Sequence, residues 1–111
     1  REVGDNPTAA QLALIGRLLA NLVTLRRMSI SVAGMLEAGK TPITEAALIK
    51  DLGNTYERLV PELIRVLAPA KTSQRFQNTL HQCILHAPSF TLRGGTREIL
   101  RGVIARGLGL R

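Results

Sequence analysis

The chain has 111 residues, of which 45% are hydrophobic and 21% charged, and its 15 lysines and arginines against eight acidic residues give a net charge of +7. These proportions exclude intrinsic disorder, which requires low hydrophobicity together with high net charge. A chain of this length forms one domain whose core needs no disulfide or metal. The positive charge favours an anionic partner without identifying it.

The first predicted helix begins at Asn6-Pro7, where an N-cap residue precedes a proline at the first helical position. It ends at Gly39-Lys40, because glycine commonly follows the last helical residue. Its apolar residues recur at helical spacings and cover more than one side of the helix. We therefore expect this helix to be buried on more than one face.

The second predicted helix opens after Thr41-Pro42 and ends at Pro69. Pro61 is expected to kink it, because proline lacks the donor for the preceding turn. A third helix runs from about Ser73 to Ala87, and a fourth opens at Thr96. No useful stretch alternates with period two, so no strand is predicted. The expected fold is all-α, an antiparallel up-down bundle of three main helices plus a short C-terminal helix.

The sequence also indicates a cellular setting. No apolar run reaches the ~18 uninterrupted residues of a membrane span, so no membrane contact is expected. Cys83 is the only cysteine, which excludes an intramolecular disulfide and favours a reducing, cytoplasmic location. The chain begins Arg1-Glu2-Val3-Gly4, without Met or a signal-like segment. We therefore expect a fragment of a longer protein or a processed product.

Three residues of the third helix, His81, Cys83 and His86, are candidates for a metal site. On a helix, residues 81 and 83 point about 200° apart, so the three side chains do not converge. No metal site is predicted, and Cys83 is expected to be a small packed thiol. Both histidines belong to one short helix and no nucleophile is placed beside them, so independent catalysis is not expected.

The C-terminal segment is rich in arginine, namely Arg93, Arg97, Arg101, Arg106 and Arg111. Such a helix is a candidate for phosphate contacts. No aromatic residue interleaves the arginines and no base-reading motif accompanies them, so nucleic-acid binding is not favoured. A solvated or intersubunit charged face is the better interpretation, and we assign Arg97 and Arg101 to such pairing.

The turn Gly94-Gly95-Thr96 is the most informative local feature. Two glycines permit a backbone path closed to other residues and allow a ligand to come close. Thr96 suits the N-cap of the last helix, and Glu98 in its first turn suits the positive end of the helix dipole.

The closing segment TLRGGTREILRGVIARGLGLR, residues 91–111, resembles the C-terminal signature of the acyl-CoA dehydrogenase family. In that signature a Gly-Gly-Thr or Glu-Gly-Thr turn precedes a helix with Glu-Ile, Arg and a terminal Leu-Gly-Leu. Upstream, LEAGKTP, ITEAALIKDL and VLAPA agree more loosely and in the same order. The resemblance covers about Asp5 to Arg111. It implies that residues 1–111 are the C-terminal helical-bundle domain of a three-domain subunit, without the N-terminal α domain, the middle β domain and the first helix of the bundle.

The resemblance implies the family's chemistry, the FAD-dependent α,β-dehydrogenation of an acyl-CoA thioester in fatty acid or other lipid metabolism. A carboxylate removes the α-proton, the β-hydride goes to the flavin, and an electron-transfer acceptor reoxidises it. In the best-known branch that carboxylate stands where this chain has Gly94, so no catalytic residue is expected here and the lone fragment should be inactive. Related Gly-Gly-Thr proteins either carry the base on the bundle's first helix or are base-less subunits of heteromeric enzymes, and the sequence leaves both open.

The resemblance also implies cofactor and partner contacts. Gly95, Thr96 and Glu98 match positions beside the flavin ring, and Arg65 offers a charge to the pyrophosphate of a neighbouring FAD. Ala68-Pro69 replaces a glycine pair and obstructs close backbone approach there. Bundles of this family pack into homo- or hetero-oligomers. Two alternatives remain, a basic helical module that binds nucleic acid or an acidic partner, and a degenerate structural homologue without FAD.

Overall fold

The computed structural model describes residues 6–69 and 71–110. These residues form α1 (Ala9–Glu37), α2 (Ile43–Leu67), α3 (Gln74–His86), a short 3₁₀ helix η1 (Ala87–Thr91) and α4 (Arg97–Gly107). No strand occurs in these two ranges. The prediction of an all-α bundle with three main helices and a short final one is confirmed, and η1 is an addition that the sequence did not predict.

The helices run antiparallel around α2. The amide nitrogen Nε2 of Gln11 donates to the carbonyl of Leu67 at 3.1 Å, and the hydroxyl of Tyr56 donates to the carbonyl of Leu18 at 3.2 Å. These bonds place the start of α1 beside the end of α2. The resulting body is elongated, 50 × 25 × 24 Å, because α1 and α2 are 29 and 25 residues long.

Local signals explain both ends of α1. The helix is capped by Thr8 and not by Asn6, because the Thr8 hydroxyl accepts from the backbone N–H of Gln11 while the Gln11 side chain accepts from the backbone N–H of Thr8. This reciprocal capping box satisfies two backbone donors, which a lone Asn6 would not. At the other end Gly39 has φ +74°, and the Lys40 N–H donates to the carbonyl of Met35 at 2.9 Å. The predicted stop at Gly39-Lys40 is confirmed.

The remaining boundaries lie close to those predicted. The Ser73 hydroxyl accepts from the backbone N–H of Phe76 at 3.2 Å and caps α3. The second helix ends at Leu67, two residues before Pro69. It continues through Pro61, whose side chain is buried, so this proline is accommodated inside the helix. The kink expected at Pro61 stays a prediction.

Helix α2 is the centre of the domain. The buried hydrophobic residues are Ala47 and Leu67 of α2, Ala87 of η1 and Leu100 of α4. Helix α1 contributes no buried residue, so the expectation that it is buried on more than one face is wrong for this chain. It packs mainly on α2. Its exposed apolar residues are Leu12, Leu19, Leu22, Val23, Ile30 and Leu36.

Helix α1 also bears on the membrane question. By length and composition alone it is apolar enough to cross a membrane, with an 18-residue window of mean hydropathy 1.2. The prediction of no membrane span was based on the length of uninterrupted apolar runs. Arg17, Arg26 and Arg27 interrupt those runs in α1. The helix has no buried residue and lies near the N-terminus of the sequence, where a signal sequence passes the same test, and a single such helix is weak evidence. The absence of membrane contact therefore stays a prediction.

Candidate functional site

The site begins at the turn before α4. Gly94 has φ +71° and Gly95 has φ +104°, both in the left-handed region that glycine adopts without strain. Thr96 follows in an extended conformation at the N-cap of α4, as predicted. Its side chain makes no capping hydrogen bond to the helix, so the position of Thr96 is as expected but its capping bond is not formed.

Backbone conformation, and not packing, explains why glycine stands at position 94. A Cβ on Gly94 would lie 3.5 Å from Cε of Lys50, and one on Gly95 would lie 3.8 Å from Cδ2 of Leu100. Both are ordinary van der Waals distances, so space does not exclude a side chain. The backbone does, because a residue with a Cβ at this φ costs about 1–2 kcal/mol. A glutamate at position 94 would therefore be strained in this backbone conformation.

An ion cluster joins the start of α4 to α2. Oδ1 of Asp51 lies 3.0 Å from Nε of Arg97, and Oδ2 lies 3.4 Å from Nε of Arg101. Asp51 is buried, whereas the side chains of Arg97 and Arg101 are 28% and 62% exposed. The carboxylate thus binds two successive turns of α4 and fixes the orientation of its first turn.

Arg97 and Arg101 were assigned to surface or intersubunit pairing, and Arg101 does pair at the exposed surface, whereas Arg97 is only 28% exposed. Both pair within the chain, across 46 and 50 residues of sequence. The role of Asp51 was not predicted from the sequence. A signal was present, since Asp51 shares the helical face of the buried residues Ala47 and Asn54, four residues before it and three after it. A carboxylate on such a face requires a partner.

The other arginines of the C-terminal segment do not form a common surface with these two. The guanidinium of Arg93 lies over the ring of Phe90, 5.0 Å from its centroid, which is a cation–π distance. Arg106 is exposed in the last turn of α4. Arg111 lies outside the described residues. The described arginines of this segment therefore differ in their surroundings. Two pair with Asp51, one contacts the Phe90 ring, and one is exposed to solvent.

Glu98 is the residue of this turn whose pKa is shifted from its usual value. Its pKa lies below the usual value of 4.5, mainly because its own backbone N–H donates to the carboxylate. The hydrogen bond from the Thr96 side chain lowers the pKa further, desolvation opposes it, and the charges of Arg101 and Arg97 make smaller contributions that also lower it. The carboxylate is thus held ionised at the positive end of α4.

Titration of Glu98 tests this description. We expect the Glu98 carboxyl, followed by NMR, to titrate below pH 4.5. Because the folded-state pKa is the lower one, the stability that Glu98 contributes is present above the unfolded-state value and is lost as the pH falls through the folded-state value. Thr96→Val should raise the Glu98 pKa, whereas Thr91→Val, a control in η1, should not. A Glu98 carboxyl that titrates at or above 4.5 would contradict this assignment.

The remaining cofactor candidate, Arg65, is not brought to this turn. It lies in the last turn of α2, where its side chain pairs with Glu62 at 3.1 Å and is 61% exposed. Fourteen helical residues separate it from Asp51, a distance of about 21 Å along α2. Gly95, Thr96 and Glu98 are adjacent in the chain and lie together, so Arg65 belongs to a different part of the surface.

The His81, Cys83 and His86 side chains are all exposed. The expectation that Cys83 is a packed thiol is therefore wrong. Cys83 borders a 310 Å³ apolar cavity between α2, α3 and η1. Helix α3 is too short and too peripheral to bury the thiol. Among the described residues no group of three His, Cys, Asp or Glu side chains could hold a metal ion.

These features define an all-α bundle domain whose last helix opens at a double-glycine turn and is tied to the central helix by a carboxylate. The family model described as "Acyl-CoA dehydrogenase, C-terminal domain" matches residues 5–109. The chain therefore belongs to the acyl-CoA dehydrogenase family, as its closing segment predicted. No curated protein and no solved structure matches the chain.

Proposed function

We propose that this chain is the C-terminal helical domain of an FAD-dependent acyl-CoA dehydrogenase, and that it supplies oligomer contacts and part of the flavin site but no catalytic base. Membership of an oxidoreductase family supports the reaction class. The observation that carries the finer proposal is Gly94, which stands where the best-known branch has its carboxylate. Glycine has no group that takes a proton, so the base comes from another segment or subunit.

The turn fits the flavin side of such a site. Gly94 and Gly95 leave the backbone uncovered by any Cβ, and α4 has no side-chain cap on its first turn. The Glu98 N–H is engaged by its own carboxylate, and the other N–H groups that start a helix are donors for an acceptor atom of a ligand. When bound, FAD would supply the hydride acceptor. Gly95, Thr96 and Glu98 would lie on the flavin side, with Asp51 holding α4 in position.

The pyrophosphate side is less complete. Arg65 is occupied in part by Glu62, an exposed pair worth little energy, so its guanidinium remains able to exchange partners. Ala68 is extended and is followed by Pro69, and both have side-chain carbon where the family has glycine. This segment supports the degenerate homologue without FAD as the second candidate.

Other parts of the proposal follow from composition and exposure. The apolar residues exposed on α1 support oligomer contacts through the bundle. The acyl-CoA substrate and the electron-transfer acceptor come with the family's reaction, and a cytoplasmic location stays a prediction. The basic interaction module is less well supported, because Arg97 and Arg101 are engaged by Asp51.

The decisive measurement is the visible absorbance spectrum of the protein purified from the natural reading frame that contains this chain. We expect a flavin band that is bleached anaerobically by one class of acyl-CoA. Bleaching would support the dehydrogenase proposal and a catalytic base other than the residue at position 94, because glycine has no group that takes a proton.

Two variants sharpen this test. Thr96→Val should weaken flavin retention, whereas Thr91→Val should leave it unchanged, since Thr91 lies in η1. A protein that stays colourless after reconstitution with FAD, alone or with a co-expressed homologue, would refute the leading proposal and favour the degenerate structural homologue. Strong, salt-sensitive binding to nucleic acid by the colourless protein would instead favour the basic module.

A further inference from the structure

A groove with a volume of about 380 Å³ runs along α2 beside α1. Its α2 wall includes Lys50, Gly53, Asn54 and Glu57. We call it the Asn54 groove. Lys50 also reaches the double-glycine turn, since its Cε lies 3.5 Å from the position of a Cβ on Gly94. The flavin proposal uses none of these four α2 residues, so the groove is a separate candidate site.

The Asn54 amide is the buried polar group of the groove that lacks a partner. The residue is 1% exposed, and neither Nδ2 nor Oδ1 has a hydrogen-bond partner among the described residues. A carboxamide both donates and accepts, and folded proteins rarely leave such a group unsatisfied when it is buried. A second amide presents an acceptor and a donor side by side, so an amide in the groove would satisfy both atoms.

The two charged side chains of the groove lie on opposite sides of Asn54. Lys50 is four residues before it and Glu57 three residues after it, which is about 6 Å and about 4.5 Å along the helix axis. Neither forms an ion pair within residues 6–69 and 71–110. The groove thus presents a cation, an amide and an anion in that order, with no net charge. This order favours a zwitterionic ligand over a multiply charged anion such as a phosphate ester.

The rest of the groove is small or apolar. Gly53 lies in the interior of α2, where glycine destabilises a helix relative to alanine. A Cβ built on Gly53 would meet nothing within 4 Å, so packing among the described residues does not require glycine. Its missing side chain leaves the backbone open to a ligand beside Asn54. Apolar surface is added by Val32, Ala46 and Ile49. The two that belong to α2 lie on the Lys50 side of Asn54.

We propose that the Asn54 groove binds a dipeptide or a zwitterion of similar length with an amide at its centre. The ligand carboxylate pairs with Lys50, the ligand amide with the Asn54 side chain, and the ligand ammonium with Glu57. Two extended residues span about 7 Å. That span leaves room for one ion pair at each end of the roughly 10.5 Å between Lys50 and Glu57 along α2. The apolar wall receives the side chain of the ligand's C-terminal residue.

The ligand gains access to the amide by rotation of the two charged side chains. Lys50 and Glu57 are the i−4 and i+3 neighbours of Asn54 and lie over the same stretch of helix surface. Because no ion pair within the described residues holds them, their charged ends turn toward a ligand and uncover the amide. Binding replaces an unsatisfied buried amide with a paired one, so part of the affinity comes from relieving a cost present in the free protein.

Isothermal titration calorimetry with L-alanyl-L-alanine tests the proposal on the protein purified from the natural reading frame that contains this chain. We expect saturable one-to-one binding. The C-amidated and the N-acetylated dipeptide should each bind about tenfold more weakly, since each loses one charge-assisted contact. Lys50→Met should remove the discrimination between acid and amide, and Glu57→Gln that between amine and acetamide. Lys71→Met, at an exposed lysine outside the groove, should preserve both.

Asn54→Leu separates a ligand site from a structural role. Leucine keeps the approximate size of the side chain and removes the unsatisfied amide, so binding should be lost while the melting temperature stays the same or rises. A clear fall in melting temperature would show that the amide already has a partner in the protein, and would overturn the proposal. No saturable heat, or equal affinity for the dipeptide, its blocked forms and free L-alanine, would overturn it as well. The titration involves no flavin, so its outcome is independent of the flavin site.

Discussion

Asp51→Asn is expected to lower the free energy of unfolding by about 2 kcal/mol, because it removes the charge that binds Arg97 and Arg101 while keeping the shape of the side chain. Asp51 is 9% exposed and the Arg97 side chain 28% exposed. Water therefore screens the Asp51–Arg97 pair only in part. Removing the Asp51 charge leaves the Arg97 guanidinium without its charged partner. Urea unfolding followed by circular dichroism measures the effect.

The exposed pair on the same helix is the control. Arg65 and Glu62 lie 3.1 Å apart with side chains 61% and 54% exposed. Glu62→Gln should therefore change stability by no more than about 0.5 kcal/mol. Asp51→Asn should also release α4, so amide exchange should increase in that helix before the rest of the bundle. Equal effects of the two substitutions would contradict the structural role of the Asp51 cluster.

Gly107→Ala is the second large effect, with an expected loss of about 2 kcal/mol. Gly107 is the last residue of α4, and a Cβ there would overlap the side chain of Thr44, with Cγ2 at 2.8 Å and Cβ at 2.9 Å. In most helices the change from glycine to alanine is stabilising by about 1 kcal/mol. Close packing of α4 on the start of α2 reverses the sign.

Gly16→Ala provides the matched control. Gly16 lies in α1, and a Cβ there would meet nothing within 4 Å, so alanine should raise the melting temperature. Thr44→Ala combined with Gly107→Ala should recover part of the loss, since the branched part of the Thr44 side chain is then absent. Thermal unfolding of the four proteins gives this comparison. A stabilising Gly107→Ala would show that α4 does not pack closely on Thr44.

These two sites together hold α4 at both ends. Asp51 binds its first turns and Thr44 contacts its last residue. The orientation of Thr96 and Glu98 therefore depends on α2, although neither residue is in that helix. Variants at Asp51 are accordingly expected to disturb the Glu98 titration as well as stability.

The helices could be predicted because their signals are local. Gly39 ends α1, Ser73 caps α3, and a proline follows α2 within a few residues. The start of α1 is the exception, because Thr8 and not the predicted Asn6 caps the helix. Asn6-Pro7 has the right residue types, but the reciprocal bonds of Thr8 and Gln11 satisfy more backbone groups. Such competition is settled by energies of about 1 kcal/mol.

Side-chain partners could not be predicted in the same way. The pairing of Arg97 and Arg101 with Asp51, from 46 and 50 residues away, was not predicted. Cys83 was expected to be packed and is exposed. Helical spacing shows which residues share a face, but not which neighbour covers that face.

The sequence by itself determined the all-α class, the order of the helices and the family, because each depends on residues that are close along the chain or on one continuous segment such as 91–111. The tertiary structure alone decided that Asp51 orients α4, that α1 is left without a buried residue, and that the Asn54 amide is buried without a hydrogen-bond partner among the described residues. These properties arise where helices distant in sequence meet. Their free energies depend on distance and burial, which the order of residues does not contain.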